Sequence, residues 1–288
     1  MKKEAFHLIL IGLFLVLGYF ESNAQSFNRA IKTKENFEAL IPHAQQDAEV
    51  TQKLSDLEKK TGKKPNIVWI IIDDLGYGEP GAYGGGAAIG AATPEMDKLA
   101  NGGLRLTSCY SQQTCTPTRS AILTGRLPVR TGLTRPILAG DKISQNPWAD
   151  EVSLPKLLSD NGYYTLLTGK WHVGEGKGMR PHDVGFDEYY GYYPAQKEIT
   201  QGIDPRRFPD LVFNEELMKA FETIRPANHL THGFKDGTTN ELEEIKSLED
   251  MGGADHKLAD FTISKIKELS GSNKPFFIEH CFMKVHAD

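Results

Sequence analysis

Residues 66–72 read NIVWIII, a continuous apolar run rich in β-branched side chains. Such a run is typical of a strand buried on both faces in the middle of a parallel sheet. Residues 73–78, DDLGYG, follow it directly. Adjacent carboxylates at a strand end are costly to desolvate unless cations meet them, and ligands collect at the carboxyl ends of strands in open α/β sheets. The sequence therefore predicts a central strand that delivers a metal-binding pair, Asp73 and Asp74, in preference to a solvated turn.

Further strands and helices are predicted to alternate along the chain, which is typical of an α/β fold. Capping residues followed by proline, at Thr93 and Ser153, mark two helix starts, and glycines mark their ends. An amphipathic pattern predicts a third helix, and three apolar segments predict further strands. The predicted helices are 93–102, 153–162 and 255–269, and the predicted strands are 104–110, 163–169 and 276–282.

Residues 115–125, CTPTRSAILTG, place a cysteine, a proline and an arginine at the start of a helix. Proline is tolerated in a first turn, so Cys115 should lie at or just before the helix N-terminus. Unpaired backbone N–H groups and the helix dipole favour negative charge there, and Arg119 falls one turn later on the same face. We expect an anion-binding position, although a lone cysteine in such a place is more often buried or disulfide-bonded.

Residues 162–172, GYYTLLTGKWH, combine a short apolar strand with a basic end. Residues two apart in an extended segment face the same side, so Lys170 and His172 can enter one cleft. A lone pair of this kind is usually a surface feature, but this pair repeats the placement of Asp73 and Asp74 at a strand end.

These motifs together resemble two signatures of the sulfatase family, in their usual order, with an Asp-Asp-x-Gly-x-Gly opening before them. The resemblance covers about residues 66–286. It implies an α/β sandwich like that of alkaline phosphatase, with a central, largely parallel sheet flanked by helices. Sulfatases also carry a later Asp-Asn metal pair and a later lysine, which this sequence does not reach before Asp288. We therefore expect the C-terminal part of the fold to be missing.

The resemblance also implies the roles of individual residues. Cys115 would be oxidised to formylglycine by a formylglycine-generating maturation enzyme, and its hydrate would attack the sulfur of a sulfate ester. Calcium, or another hard divalent cation that prefers oxygen ligands, would be the metal. The implied metal ligands are Asp73, Asp74 and residue 115, and the implied catalytic residues are Cys115, Arg119 (holding residue 115), Lys170 (contacting sulfate), His172 (base) and His286 (near the leaving oxygen), with Lys284 and His280 as weaker candidates for the last position.

Composition and the N-terminus limit the partners and the location. The 288 residues carry a formal charge of −5 without a polybasic block, so nucleic acid is not an expected partner. Met1-Lys2-Lys3, an apolar run over 6–20 and small residues before Gln25 predict a secretory signal peptide at 1–24, and hence a periplasmic or secreted protein. That apolar run is too short for a stable membrane anchor. We expect a helical extension at 25–64 and the catalytic domain at 65–288.

Several features leave alternatives open. The three cysteines, Cys109, Cys115 and Cys281, cannot all pair within the chain. Asp160-Asn161-Gly162 imitates a metal motif but is better explained as a helix C-terminus, and His182 is a possible substrate contact. Residues 189–253, with a short helix expected at 241–248, form a lid or specificity segment. The substrate is a sulfated small molecule or glycan, and the competing functions are a phosphatase or phosphonate-ester hydrolase of the same superfamily and a non-catalytic remnant.

Overall fold

The computed structural model describes residues 42–137, 141, 143, 146–193, 229–245 and 248–286. A six-stranded sheet in the order β1-β6-β2-β3-β4-β5 lies at its centre. Neighbouring strands are parallel through β1, β6, β2 and β3. Strand β4 pairs antiparallel with β3, and β5 pairs antiparallel with β4. The strands are β1 Ile67–Ile71, β2 Tyr164–Lys170, β3 Glu188–Tyr192, β4 His229–Phe234, β5 Thr239–Glu244 and β6 Phe276–Cys281.

Helices flank the sheet on both faces. They are α1 Ala44–Thr61, α2 Pro94–Gly102, α3 Cys115–Thr124, α4 Pro128–Thr131, α5 Leu154–Asp160, α6 Pro181–Val184 and α7 Leu248–Ser270. The main core lies on the face covered by α3 and α5, where Leu123, Leu167 and Phe277 are buried together. On the other face, α7 covers Phe276 and Ile278 of β6. Successive side chains of β6 thus point alternately to the core on one face of the sheet and to the core on the other face.

The predicted helices are confirmed: α2 and α5 agree with their predicted bounds within two residues, and α7 begins seven residues earlier than predicted. Ser153 caps α5 by accepting a hydrogen bond from the Lys156 N–H, at 3.3 Å. Thr93 precedes α2 but does not cap it, because its hydroxyl binds the Gly81 N–H and Asp97 instead. Helix α1 buries no side chain and ends at Gly62 in the left-handed conformation. No helix within the described residues is both long and apolar enough to span a bilayer.

Strand β1 corrects the expectation of a strand buried on both faces. It pairs with β6 alone and forms an edge of the described sheet. Val68, Trp69 and Ile70 are 44%, 41% and 55% exposed, so this apolar segment is poorly covered in the described part of the chain. The apolar composition of this segment predicted a central strand. Composition shows that the side chains favour burial, but it does not show which other segments pack against them.

Two other segments differ from their predictions. Residues 104–110, predicted as a strand, have no strand structure, and Leu104, Leu106 and Tyr110 are exposed. The expected helix at 241–248 is wrong, because Thr239–Glu244 is strand β5 in a hairpin with β4. The polar composition of β5 suits an edge strand with a solvated face. Residues 194–228 of the expected lid lie outside the described residues.

Three adjacent strands approach closely at Gly169 of β2, which aligns with Gly191 of β3 and Cys281 of β6. Gly169 has φ +97, and a Cβ placed there would lie 1.8 Å from the Cys281 carbonyl oxygen. The glycine is therefore required both by its backbone conformation and by the space around it.

Replacing Gly169 with alanine is expected to lower the free energy of unfolding by about 2 to 3 kcal/mol, since the new methyl group would collide with backbone that cannot move independently. Urea denaturation of the purified chain measures the change. Gly252→Ala is the matched control: no atom lies within 4 Å of a Cβ at this exposed helical position. That variant should be neutral or slightly more stable. Equal stability of both variants would contradict the packing argument.

Candidate active site

Helix α3 brings Cys115 and Arg119 to the carboxyl ends of the parallel strands. Cys115 is the first residue of the helix, as predicted, and Arg119 lies one turn later on the same face. The Arg119 guanidinium is buried, donates to the Lys170 carbonyl oxygen at 2.6 Å and lies 3.4 Å from Asp73 Oδ1. One helical turn therefore aims both side chains at Asp73, two residues after the end of β1.

Asp73 joins three elements at this point. The Lys170 ammonium group, at the end of β2, lies 2.5 Å from Asp73 Oδ2 and 3.5 Å from Cys115 Sγ. Cys115 Sγ is 3.6 Å from Asp73 Oδ1. The thiol, the carboxylate and the two cations thus form one cluster, in which Asp73, Arg119 and Lys170 are almost completely buried.

The electrostatics of the cluster favour an ionised Asp73 and a neutral thiol. Burial opposes ionisation of Asp73, but the charges of Arg119 and Lys170 outweigh it and hold the pKa below its usual value. Burial raises the pKa of the Cys115 thiol, and the charge of Lys170 offsets this only in part. Because the thiolate is the nucleophilic form of cysteine, the environment of Cys115 does not favour a thiol nucleophile.

His172 lies beside the cluster, with one ring nitrogen bound and the other unbound. Its Nε2 is 2.8 Å from the Ile137 carbonyl oxygen, so Nε2 carries the hydrogen and donates it. Nδ1 is buried and has no hydrogen-bond partner within the described residues. Burial and the charge of Lys170 lower the pKa of His172 to about 3. The ring is therefore neutral, with a free lone pair on Nδ1.

Asp74 and His286 complete the set at the outer side of the cluster. His286 Nε2 lies 3.4 Å from Asp74 Oδ2, and the Asp74 side chain is 54% exposed. One ligand atom from each of Asp73, Cys115 and His286 lies within 4.8 Å of the other two. In this cluster Cys115 Sγ occupies the place that an oxygen of the modified residue would take. Within the described residues this group therefore holds one predicted acidic ligand, Asp73, whereas Asp74 lies outside it and contacts His286. A carboxylate beside an oxygen-bearing residue supplies part of the ligand set of a hard divalent cation.

One contributor that sequence reasoning missed is Thr116. Its buried hydroxyl donates to the His172 carbonyl oxygen at 2.7 Å and accepts from the Ile137 N–H at 3.1 Å. It thereby ties the start of α3 to the two backbone segments that hold the His172 ring. In the sequence, the position of Thr116 inside the cysteine motif was the only indication of this role. The residues that it contacts are distant in sequence.

The weaker candidates lie elsewhere. The His280 ring faces α7, on the other side of the sheet, where Nδ1 lies 2.8 Å from both Thr168 Oγ1 and Thr262 Oγ1. Lys284 is exposed. His182 lies close to the hairpin turn at Gly237. Asn161 donates its side-chain amide to the Leu157 carbonyl oxygen at the end of α5, and Gly162 is left-handed, which confirms the helix C-terminus.

A family model described as Sulfatase matches residues 65–288. This chain belongs to the sulfatase family. Among curated sulfatases, bovine arylsulfatase A is 47% identical over 131 residues, which are 44% of this chain and 25% of that protein. Human steryl-sulfatase is 38% identical over 149 residues, which are 48% of this chain and 25% of that protein.

Solved structures give the same family. The PsFucS1 sulfatase from Pseudoalteromonas sp. is 51% identical, with a TM-score of 0.82 over 91% of this chain and 52% of its own. Ps i-CgsB, solved with k-i-k-neocarrahexaose, is 26% identical, with a TM-score of 0.59 over 78% of this chain and 46% of its own. The sulfatase chain described here thus spans about half of these solved relatives. The predicted sandwich, a largely parallel sheet between helices, is confirmed.

Proposed function

We propose that this sulfatase chain carries the nucleophile half of an active site that hydrolyses sulfate esters, with Cys115 converted to formylglycine. The observation that carries the proposal is the position of Cys115 Sγ, 3.6 Å from Asp73 and 3.5 Å from Lys170. An acidic metal ligand and a buried cation thus meet at the atom that the modification replaces. The neutral thiol fits a precursor of the catalytic group better than a catalytic thiolate.

Lys170 and Arg119 supply the positive charge for an anionic substrate. Two buried cations face one carboxylate, Asp73, so the cluster attracts a sulfate group placed beside residue 115. Fixed charges in a buried site need no reorganisation during a reaction, which makes them effective in stabilising developing negative charge. Arg119 is further fixed by the Lys170 carbonyl oxygen, so it orients the α3 N-terminus as well.

The two histidines are suited to proton transfer. The free Nδ1 lone pair of His172 is an acceptor for a hydroxyl proton of the modified residue, and the Ile137 carbonyl oxygen holds the tautomer that this role needs. His286 lies at the outer side of the cluster, beside the exposed Asp74. That position suits a group that donates a hydrogen bond or a proton to the leaving alcohol.

Asp73, Asp74 and residue 115 are the proposed holders of a hard divalent cation, calcium in the first instance. When bound, the cation would make a hydroxyl of the formylglycine hydrate more acidic. Asp73 retains its charge for this purpose at neutral pH, because its cationic neighbours keep its pKa low.

For the substrate we propose a sulfated saccharide. The support is the similarity to Ps i-CgsB, whose structure contains a neocarrahexaose. Arylsulfatase A and steryl-sulfatase match shorter parts of the chain. No comparison favours a phosphatase or a phosphonate-ester hydrolase. We further propose export through residues 1–24, which lie outside the described residues, and maturation by a formylglycine-generating enzyme.

The test co-expresses the chain with a formylglycine-generating enzyme and measures residue 115 by peptide mass spectrometry. We expect the mass decrease that converts a thiol to an aldehyde, and no change in Cys115→Ala. The converted chain is then assayed with a sulfated saccharide and with a phosphate diester. Turnover of the sulfate ester alone, lost in Cys115→Ala, supports the proposal. An unmodified thiol, or a preference for the diester, contradicts it.

A further inference from the structure

Glu279 is a buried acid that the proposed mechanism does not use. It lies on β6, between β1 and β2, and is 1% exposed. Side chains alternate along a strand, so Glu279 shares a face with Phe277 and Cys281. Phe277 belongs to the core under α3, and Glu279 therefore points towards the helix that carries Arg119.

The contacts of Glu279 lead towards the active-site cluster. The Cys281 thiol donates to Glu279 Oε1 at 3.6 Å, and Oε2 has no partner within the described part of the chain. Cys281 in turn interacts with the Arg119 guanidinium, which contacts Asp73. A row of Glu279, Cys281, Arg119 and Asp73 thus runs from the middle of the sheet to residue 115.

The charge of Glu279 affects the balance between positive and negative groups in the active-site cluster. Arg119 and Lys170 are two buried cations, and among the residues that the structure describes Asp73 is the carboxylate in contact with both. Glu279 is a further buried acid on which the charge of Arg119 acts, while the ion pair of Arg119 is made with Asp73. The ionisation of Glu279 is affected by Arg119 from α3 and by Cys281 from the same strand. The groups near Arg119 are Asp73, Lys170 and the Tyr189 hydroxyl of β3.

We infer that Glu279 is a positioning residue, the counter-charge of Arg119 that sets the affinity of the cluster for a sulfate anion. The inference rests on the proposed function, because it assumes that Arg119 and Lys170 bind the sulfate group. Burial raises the pKa of Glu279 to about 7, against the charge of Arg119. The carboxyl is therefore charged above neutral pH and protonated below it, and the cluster holds one more negative charge when the pH is high.

Isothermal titration of the purified chain with inorganic sulfate tests the inference, since it requires no turnover. At about pH 8.5, Glu279→Gln should bind sulfate roughly threefold to tenfold more tightly than the unchanged chain, because one repulsive charge is removed. At about pH 5.5 the two proteins should bind equally, since Glu279 is then protonated and as uncharged as the glutamine of the variant. A purely structural defect would change both values alike.

Thr262→Val is the control, because Thr262 lies on the opposite face of the sheet beside His280, and its sulfate affinity should match the unchanged chain at both pH values. If Glu279→Gln does not fold, Cys281→Ala replaces it. Loss of the thiol hydrogen bond makes the Glu279 carboxylate harder to ionise, so this variant should also bind more tightly at high pH.

Equal affinities at high pH, or the same offset at both pH values, would overturn the role of Glu279 while leaving the proposed function intact. Failure of every protein to bind sulfate would overturn the inference and the anion site together. The two failures are therefore distinguishable in one titration series.

Discussion

Asp73→Asn is expected to lower the free energy of unfolding by about 3 to 5 kcal/mol, the usual cost of removing one partner from a buried ion pair. The amide keeps the shape of the side chain but leaves Arg119 and Lys170 buried with no carboxylate between them. Urea denaturation at neutral pH, without added metal, measures the effect.

Asp74→Asn is the matched control for this variant. The Asp74 side chain is 54% exposed, and its backbone has φ 59, a conformation that asparagine tolerates as well as aspartate. We expect a stability change within about 0.5 kcal/mol. If both acids bind calcium, the unchanged chain should show a calcium-dependent rise in unfolding temperature, and either variant should abolish it. A stable Asp73→Asn chain would refute the ion-pair cluster, and an undiminished calcium response would refute the metal assignment.

The second large effect is a loss of stability in acid caused by His172. The pKa of this ring is about 3 in the folded chain, against 6.5 for the ordinary side chain. Between these values the unfolded chain binds a proton that the folded chain does not. The contribution of His172 is therefore complete above about pH 6.5 and is lost as the pH falls, by about 2.7 kcal/mol at pH 4.5.

His172→Asn tests this contribution, because asparagine accepts the left-handed backbone that His172 adopts at φ 54. Between about pH 7.5 and pH 4.5 the unchanged chain should lose about 2.7 kcal/mol more than the variant. The quantity to compare is the difference in unfolding free energy between the two chains at each pH. Glu279 has a raised pKa in both chains, so its own contribution to stability increases as the pH falls over part of this range and cancels in the difference. Parallel pH curves for the two chains would show that the ring is protonated in the folded state.

The sequence predicted the centre of the site well because short motifs fix local geometry. The proline and the glycine of residues 115–125 dictate where α3 begins and ends, and hence that Cys115 and Arg119 share a face. The strands before Asp73 and Lys170 likewise determine which end of the sheet their side chains reach. The contacts among Asp73, Cys115, Arg119 and Lys170 follow from these placements.

What could not be predicted depends on contacts between distant segments. Nothing near Glu279 indicates that α3 passes over β6, and the partners of Thr116 lie 21 and 56 positions away. The failure at 104–110 has the same origin, because an apolar alternation becomes a strand only where another strand offers its backbone. The hairpin of β4 and β5 was missed because its polar residues suit solvent rather than a core.

Within the described residues β1 has one unpaired edge, and Asp73 and Asp74 follow this strand directly. A cation held by these acids and a chain segment paired along Val68 to Ile70 would both stabilise the same strand. Under thermodynamic linkage, each would then increase the affinity for the other by the same factor. The affinity for the metal would therefore be higher when a segment is paired with the edge of β1 than when this edge is unpaired.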